Sequence, residues 1–225
     1  MKTIFYLLTV LSSFSLSAQN YKSGYNRIGL QGEYLILNLN NSDFEVKPGS
    51  GFLAGFSQRG GFYNNFDVVY GISFLQASIA VSAIDEYNTN ASYSNQEVSY
   101  TTTGAQLKFL ASYLISDENL SLEFGPVLQV NSRLKLDDAT QEAYLIEGYS
   151  KLKTASIQEW SRVNGLLLAG FTAGFNSVRI IARYQYGLTN ALHKLNKENL
   201  EEKDPAAKNI KGNLSLITAG IVFYL

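Results

Sequence analysis

The chain has 225 residues, no cysteine and a formal net charge of -1. That length fits one domain, the absence of cysteine excludes a disulfide framework or thiolate metal site, and the near-neutral balance leaves no electrostatic footprint for nucleic acid. A mean hydropathy of -0.04 excludes a bundle of membrane helices but not a barrel, whose strands alternate apolar and polar residues so that the average cancels.

Met1–Ala18 reads as a secretory signal peptide, which leaves 19–225 as the exported domain. Lys2 supplies the positive start, Ile4 to Leu11 an apolar run, and Ser12 to Ala18 a small, weakly polar stretch before cleavage. The apolar run is too short for a spanning helix, which takes roughly 20 residues. No cysteine follows it, so lipoprotein processing is excluded.

From there the pattern has period two, the signature of strands with two different environments. Ile28, Leu30, Gly32, Tyr34 and Ile36 oppose Arg27, Gly29, Gln31 and Glu33 in a first strand. A second, weakly patterned one runs about Phe52 to Arg59. The third sets Phe66, Val68, Tyr70, Ile72 and Phe74 against Asp67, Gly71 and Ser73, then loses phase near Gln76, which suggests a bulge. Leu107, Phe109, Ala111 and Tyr113 oppose Gln106, Lys108 and Ser112 in the fourth. In the fifth, Leu120 to Val130 on even positions oppose Ser121, Glu123, Gly125, Gln129, Asn131 and Arg133. The sixth sets Val163, Leu167, Ala169, Phe171 and Ala173 against Arg162, Asn164, Gly170 and Thr172. The seventh, Val178 to Thr189, alternates most cleanly, with Arg179, Arg183 and Gln185 on its polar face. Ile217, Ala219, Ile221, Phe223 and Leu225 share a face of the eighth.

Connections alternate in length. Gly60–Asn65, Ser116–Asn119 and Asn176–Ser177 are short; Asn38–Ser50, Ala83–Gln96, Lys135–Glu159 and Asn190–Lys211 are long and polar. Eight strands with this alternation predict an all-β, eight-stranded antiparallel up-and-down transmembrane β-barrel in a bacterial outer membrane. Long loops face outward from the cell, and short turns face the periplasm. The polar faces then line a lumen only wide enough for side chains. Arg27, Glu33, Asp67, Lys108, Glu123, Arg133, Arg179 and Arg183 form its predicted polar network. This reads first as structural ion pairing, with an anion site as the alternative reading of its cationic excess. Tyr34, Tyr70, Tyr113, Tyr184 and Tyr186 belong to interfacial girdles or sit deeper in the bilayer.

Thr218, Gly220, Phe223 and Leu225 follow the polar-x-Gly-x-x-aromatic-x-apolar spacing of the C-terminal signal read by the outer-membrane assembly machinery, with Leu225 in place of the usual aromatic. Chemistry-bearing motifs are sparse. His193, the only histidine, reads as a loop residue, with a Ser/His/Asp arrangement at the rim as the alternative. Asp85-Glu86 and Asp137-Asp138 read as solvated loop tips, since no calcium-loop spacing follows, with calcium binding or general acid/base groups as the alternatives. Loop 190–211 is charge-dense and reads as solvated and flexible, with a short helix or divalent-bridged lipopolysaccharide contact as the alternatives. No cofactor is implied.

The run Arg183 to Asn190, R-Y-Q-Y-G-L-T-N, together with Gly125-Pro126 and the Gly51 to Gly55 region, resembles the PorT-like family of small outer-membrane β-barrels. The resemblance covers the mature chain and implies the same eight-stranded fold. The family's founding member serves a secretion system, a role that no residue here carries over. The expected function is a non-enzymatic barrel that anchors, recognises or helps assemble an envelope partner. A narrow channel or solute-uptake protein is the alternative, and a lipid hydrolase or acyltransferase the third. Expected partners are outer-membrane lipid and lipopolysaccharide, the barrel-assembly machinery and an envelope protein.

Overall fold

The computed structural model describes residues 26–85, 96–116, 119–175, 177–197, 200, 204–205 and 207–225. The signal-peptide segment lies outside them. Eight long strands form the wall: β1 (Asn26–Asn41), β2 (Val46–Tyr63), β3 (Phe66–Ile84), β4 (Gln96–Ser116), β5 (Leu120–Asn131), β6 (Val163–Gly174), β7 (Val178–Gly187) and β8 (Gly212–Tyr224). Each pairs antiparallel with its successor, and β8 returns to β1 from Gly29↔Tyr224 to Asn41↔Gly212. The ring is therefore closed. Closure satisfies the backbone groups over the height that all eight strands share.

The wall is uneven in height. β3 and β4 have 19 and 21 residues, whereas β6 and β7 have 12 and 10. β1 to β4 therefore rise above the rest of the wall on one side. This corrects the expected long loop Asn38–Ser50: β1 runs to Asn41 and β2 starts at Val46. The polar residues that suggested a loop, Asn38, Asn40 and Ser50, are strand residues facing away from the lumen. Between the strands, the Asn41 side chain accepts from the Asp43 and Phe44 amides at 3.0 Å each, which closes the turn. At the other end β2 and β3 meet through Asn64 and Asn65, with Asn64 at φ 47, a conformation asparagine tolerates well.

The loss of phase at Gln76 is also explained differently. β3 pairs with β4 without a shift from Phe66↔Tyr113 to Ala83↔Gln96. The irregularity lies in β2, between Pro48 and Gly51. In β3 the pleat continues and the chemistry inverts. Before Gln76, Asp67 and Ser73 point inward while Phe66, Tyr70, Ile72 and Phe74 are exposed outside. After it, Leu75, Ala77, Ile79 and Val81 are buried inward and Gln76 faces out. β1 inverts likewise, from inward Gln31 and Glu33 to inward Leu35, Leu37 and Leu39. The turn half of the barrel is thus apolar outside and carries its charges inside, among buried Val69, Leu110, Ile181 and Val222. The loop half is apolar inside and polar outside, like a water-soluble barrel.

Close strand approach sets one residue choice sharply. A Cβ on Gly220 of β8 would lie 2.0 Å from the Gly32 carbonyl oxygen and 2.6 Å from the Glu33 Cα. Gly32 itself has nothing within 4 Å of its Cβ position. Gly220→Val is therefore expected to block ring closure, while Gly32→Val refolds. Far-UV circular dichroism after refolding into detergent reads the difference; equal sheet signals would contradict the β1–β8 contact.

Candidate functional site

The turn half of the lumen is crossed by one chain of ion pairs. Arg59 of β2 donates through Nη1 to Asp67 of β3 at 3.0 Å and through Nη2 to Glu123 of β5 at 2.6 Å. Arg183 of β7 donates to the other Glu123 oxygen from Nε at 2.9 Å and Nη2 at 2.7 Å. Its Nη1 reaches Glu33 of β1 at 2.9 Å, which also accepts from Lys108 of β4 at 3.3 Å. Hydroxyls complete the shell. Thr218 of β8 donates to Glu33 at 2.6 Å, and Thr172 of β6 accepts from Arg59 at 3.2 Å. Every strand of the ring contributes. All six charged groups are nearly inaccessible, so each depends on its partners. Arg179 is buried beside them, and the Tyr224 ring lies 5.8 Å from its guanidinium and 6.0 Å from that of Arg59.

An amide layer lies next along the axis. Gln106 donates to Gln129 at 2.7 Å and to Gln185 at 3.0 Å, and Gln129 donates to Asn131 at 2.7 Å. Beyond the polar part, buried Leu35, Leu37, Leu53, Leu75, Ile79, Leu166, Leu168 and Leu216 fill the interior. They form one apolar cluster with residues from the long loops, Leu134, Leu152, Ile157, Trp160, Leu195 and Ile210.

Those loops are folded as a cap. Lys135–Leu136 adds to the tall edge of β4 at Tyr100 and Thr101, and Leu145–Ile146 adds to β3 at Ala83 and Ile84. Tyr100 donates its hydroxyl to the Thr154 carbonyl at 2.9 Å, and Trp160 donates Nε1 to the Ser132 carbonyl at 2.6 Å. The two loops are tied together by Asp204, whose Oδ2 accepts from the Ser150 and Lys151 amides at 2.7 and 2.8 Å. Asn190 starts loop 190–211 by accepting from the Leu192 and Gly212 amides, each at 2.9 Å. The expectation of a solvated, flexible loop is corrected for its described part: Ala191, Leu192, Leu195, Leu200, Ala207 and Ile210 are buried. Its apolar residues sit between the charges and supply the packing face.

Of the predicted network, Glu33, Asp67, Lys108, Glu123 and Arg183 meet in the ion chain, with Arg179 beside it. Arg27 stands half-buried at the start of β1, opposite Arg59 in register. Arg133 is a correction: its side chain is 66% exposed, outside the lumen. β5 ends at Asn131, so alternation no longer governs where residue 133 points. Arg162, which precedes β6, is outside for the same reason. Arg59 was not in the predicted network although it is central to it. Its signal was the outward pair Phe52 and Phe56, which puts odd positions of β2 inside. Gly55 and Ser57 are too small and neutral to make that inner face conspicuous. The residues of the predicted assembly signal divide by face: Thr218 and Gly220 lie inward, Phe223 and Leu225 outward and exposed.

At the loop rim, Glu159 accepts from Lys194 and faces Arg162 at 3.8 Å and Arg133 at 3.9 Å. Its carboxyl is held below the usual range, first by the Lys194 hydrogen bond and then by the cationic charges. His193 is exposed on the same rim. Ser161, nearby, donates its hydroxyl to the Asn190 carbonyl at 3.2 Å. Asp138 is exposed and caps the short 3-10 turn Ala139–Ala143 by accepting from the Thr140 amide. Asp85 is half-buried, and Glu86 lies outside the described residues.

No protein-family model and no curated protein matches the chain. Among solved structures it is similar to Neisserial surface protein A, with 14% identity over 87% of this chain and 96% of that one and a TM-score of 0.45. It is also similar to the outer membrane protein OprG from Pseudomonas aeruginosa, with 11% identity over 92% and 98% and a TM-score of 0.49. The eight-stranded closure stands on this chain's own ladder of pairings.

Chemically, the lumen is a cross-brace. Removing one member leaves a buried charge uncompensated, which costs about 3–5 kcal/mol. Arg59→Met is expected to lower unfolding stability by about that amount. Adding Glu123→Gln should recover part of the loss, because it removes a carboxylate left with fewer donors. Urea unfolding in detergent, followed by the fluorescence of Trp160, the only tryptophan, measures both. A neutral Arg59→Met would contradict the bracing role.

Proposed function

We propose that the protein is an integral outer-membrane barrel that acts as a closed, non-enzymatic anchor and presents its loop cap to an envelope partner. The observation that carries this reading is the double filling of the lumen, by ion pairs near the turns and by an apolar core beneath the cap. A solute would have to break a buried ion network and then displace packed leucines. The membrane placement draws on the exposed belt of Ile28, Leu30, Phe56, Ile72, Phe109, Phe124, Ile180 and Ile221. Such a surface is far larger and more continuous than the apolar patches of soluble monomers and matches the outer band of a transmembrane barrel. The leader-like Met1–Ala18 and the spacing of Thr218, Gly220, Phe223 and Leu225 point the same way.

Kinship with the PorT-like family is part of the proposal and draws on the run Arg183 to Asn190. In this run Arg183 and Gln185 join the lumen network, Gly187 makes a close approach to Leu214, and Asn190 anchors the cap. Each conspicuous residue has a structural task, so the run describes a way of building the barrel rather than an activity. The non-enzymatic part draws on the rim, where Ser161 turns its hydroxyl to a backbone carbonyl beside His193.

Purified protein inserted into planar bilayers is expected to show no discrete conductance steps. Stable unitary steps would overturn the closed-anchor reading in favour of a narrow channel. Gentle detergent extraction from outer membranes is expected to bring a stoichiometric protein partner; a barrel that purifies alone would remove the partner from the proposal.

A further inference from the structure

The rim between β5, β6 and β7 carries cations in a distinctive place. β5 and β6 stop at the same level, where the Asn131 amide donates to the Arg162 carbonyl at 2.7 Å. Directly below, Val130 and Val163 are paired in register and exposed outward, and Leu188 beside them is 64% exposed. Directly above stand Arg133 and Arg162, with 66% and 60% of their side chains exposed. A cleft of about 530 Å³ opens here, lined by Ser161, Arg162, Val163, His193, Lys194 and Lys197. No carboxylate lines it among the described residues. Among the described residues, the single acid that touches these cations, Glu159, sits behind them with 26% of its side chain exposed. It holds Lys194 and faces both arginines, so it orders three cations while neutralising one charge. Counting Lys197, four cations share one carboxylate among the described residues.

We propose that this cleft binds the phosphate group of an outer-leaflet glycolipid, with the acyl chains lying on the Val130, Val163 and Leu188 wall. The inference rests on the membrane placement proposed above. Three features select this occupant. Guanidinium forks suit phosphate oxygens, to which they donate in pairs. The apolar wall starts directly below the cation cluster, with exposed Val163 next to Arg162 in the chain, as an amphiphile requires and a free anion does not. The cap around Trp160 fixes the cluster in place, so little ordering entropy opposes binding. Among the described residues the tall β1 to β4 side continues past the belt with neutral Ser50, Gln76 and Thr103 on the outside.

The test uses the full exported chain in detergent micelles, with bis-phosphorylated lipid A and enzymatically dephosphorylated lipid A as probes. Native mass spectrometry counts the bound lipid. Wild type is expected to prefer the phosphorylated form by at least tenfold. The Arg133→Gln/Arg162→Gln pair is expected to lose that preference while keeping wild-type sheet content and its residual binding of the dephosphorylated form. Both substitutions are exposed, so folding should survive. Equal binding of the two lipids by wild type, or an unchanged preference in the double variant, overturns the inference. Full competition by millimolar inorganic phosphate would make the cleft a free-anion site and overturns the lipid assignment. Flotation with vesicles runs alongside: protein that floats but shows no phosphate preference defeats this inference alone, whereas protein that fails to float defeats the membrane placement beneath it.

Discussion

An eight-stranded ring leaves an interior about as wide as its own side chains, and the rest of this structure follows from what fills it. A side chain pointing inward meets the chains of the opposite wall, so the filling must be mutually satisfied. Glu123 shows how this is met. One carboxylate oxygen takes Arg59 of β2, and the other takes Arg183 of β7. Three strands that are not all neighbours are joined by one group. Continuing through Asp67, Glu33 and Lys108, the same device reaches around the ring. Hydrogen bonds along the wall hold each strand to its neighbours; the ion chain holds the wall against itself.

The filling changes character along the axis together with the outer face, as the proposed membrane placement requires. Where the outer face is Phe, Ile and Leu, the inner face holds charges and amides. Where the outer face becomes Asn38, Ser50, Gln76 and Thr103, the inner face becomes leucine, isoleucine and valine. A chain in hydrocarbon can place its polar groups only inside, while a chain in water can place its apolar groups only inside. One continuous strand such as β3 obeys both rules in turn. The apolar half would still be open at its top, and the long loops complete it with Trp160, Leu152, Ile157 and Ile210. The described parts of the loops and the tall strands therefore share one core, which makes that part of the loop surface a fixed platform. A fixed surface suits docking, because its ordering cost is met during folding.

Much of this was legible in the sequence. The faces of β1, β4 and β7 follow directly from alternation, since each sets bulky apolar residues against charged or amide ones. The strand count and ring follow from those faces and the turn spacing. Three things were not legible, each for a physical reason. The height of β1 to β4 was hidden because polar outward residues such as Asn38 and Ser50 resemble loop residues when the core they cover is unseen. Arg59 was hidden because its inward neighbours Gly55 and Ser57 offer no contrast. The cap was hidden because its order comes from contacts between distant segments, such as Asp204 with Ser150 and Lys151, which leave no local period. Arg133 failed in the opposite direction: alternation was carried two residues past the point where β5 ends.

The central claim is that β3 crosses from hydrocarbon to water near Gln76 while its pleat stays in register. The chain has no cysteine, so single cysteines at Ile72, Phe74, Gln76 and Ser78 can each carry an environment-sensitive fluorophore without background. In lipid vesicles, emission should be blue-shifted at 72 and 74, intermediate at 76 and water-like at 78. Emission of one character at all four positions would contradict the inversion on which the account of the barrel rests.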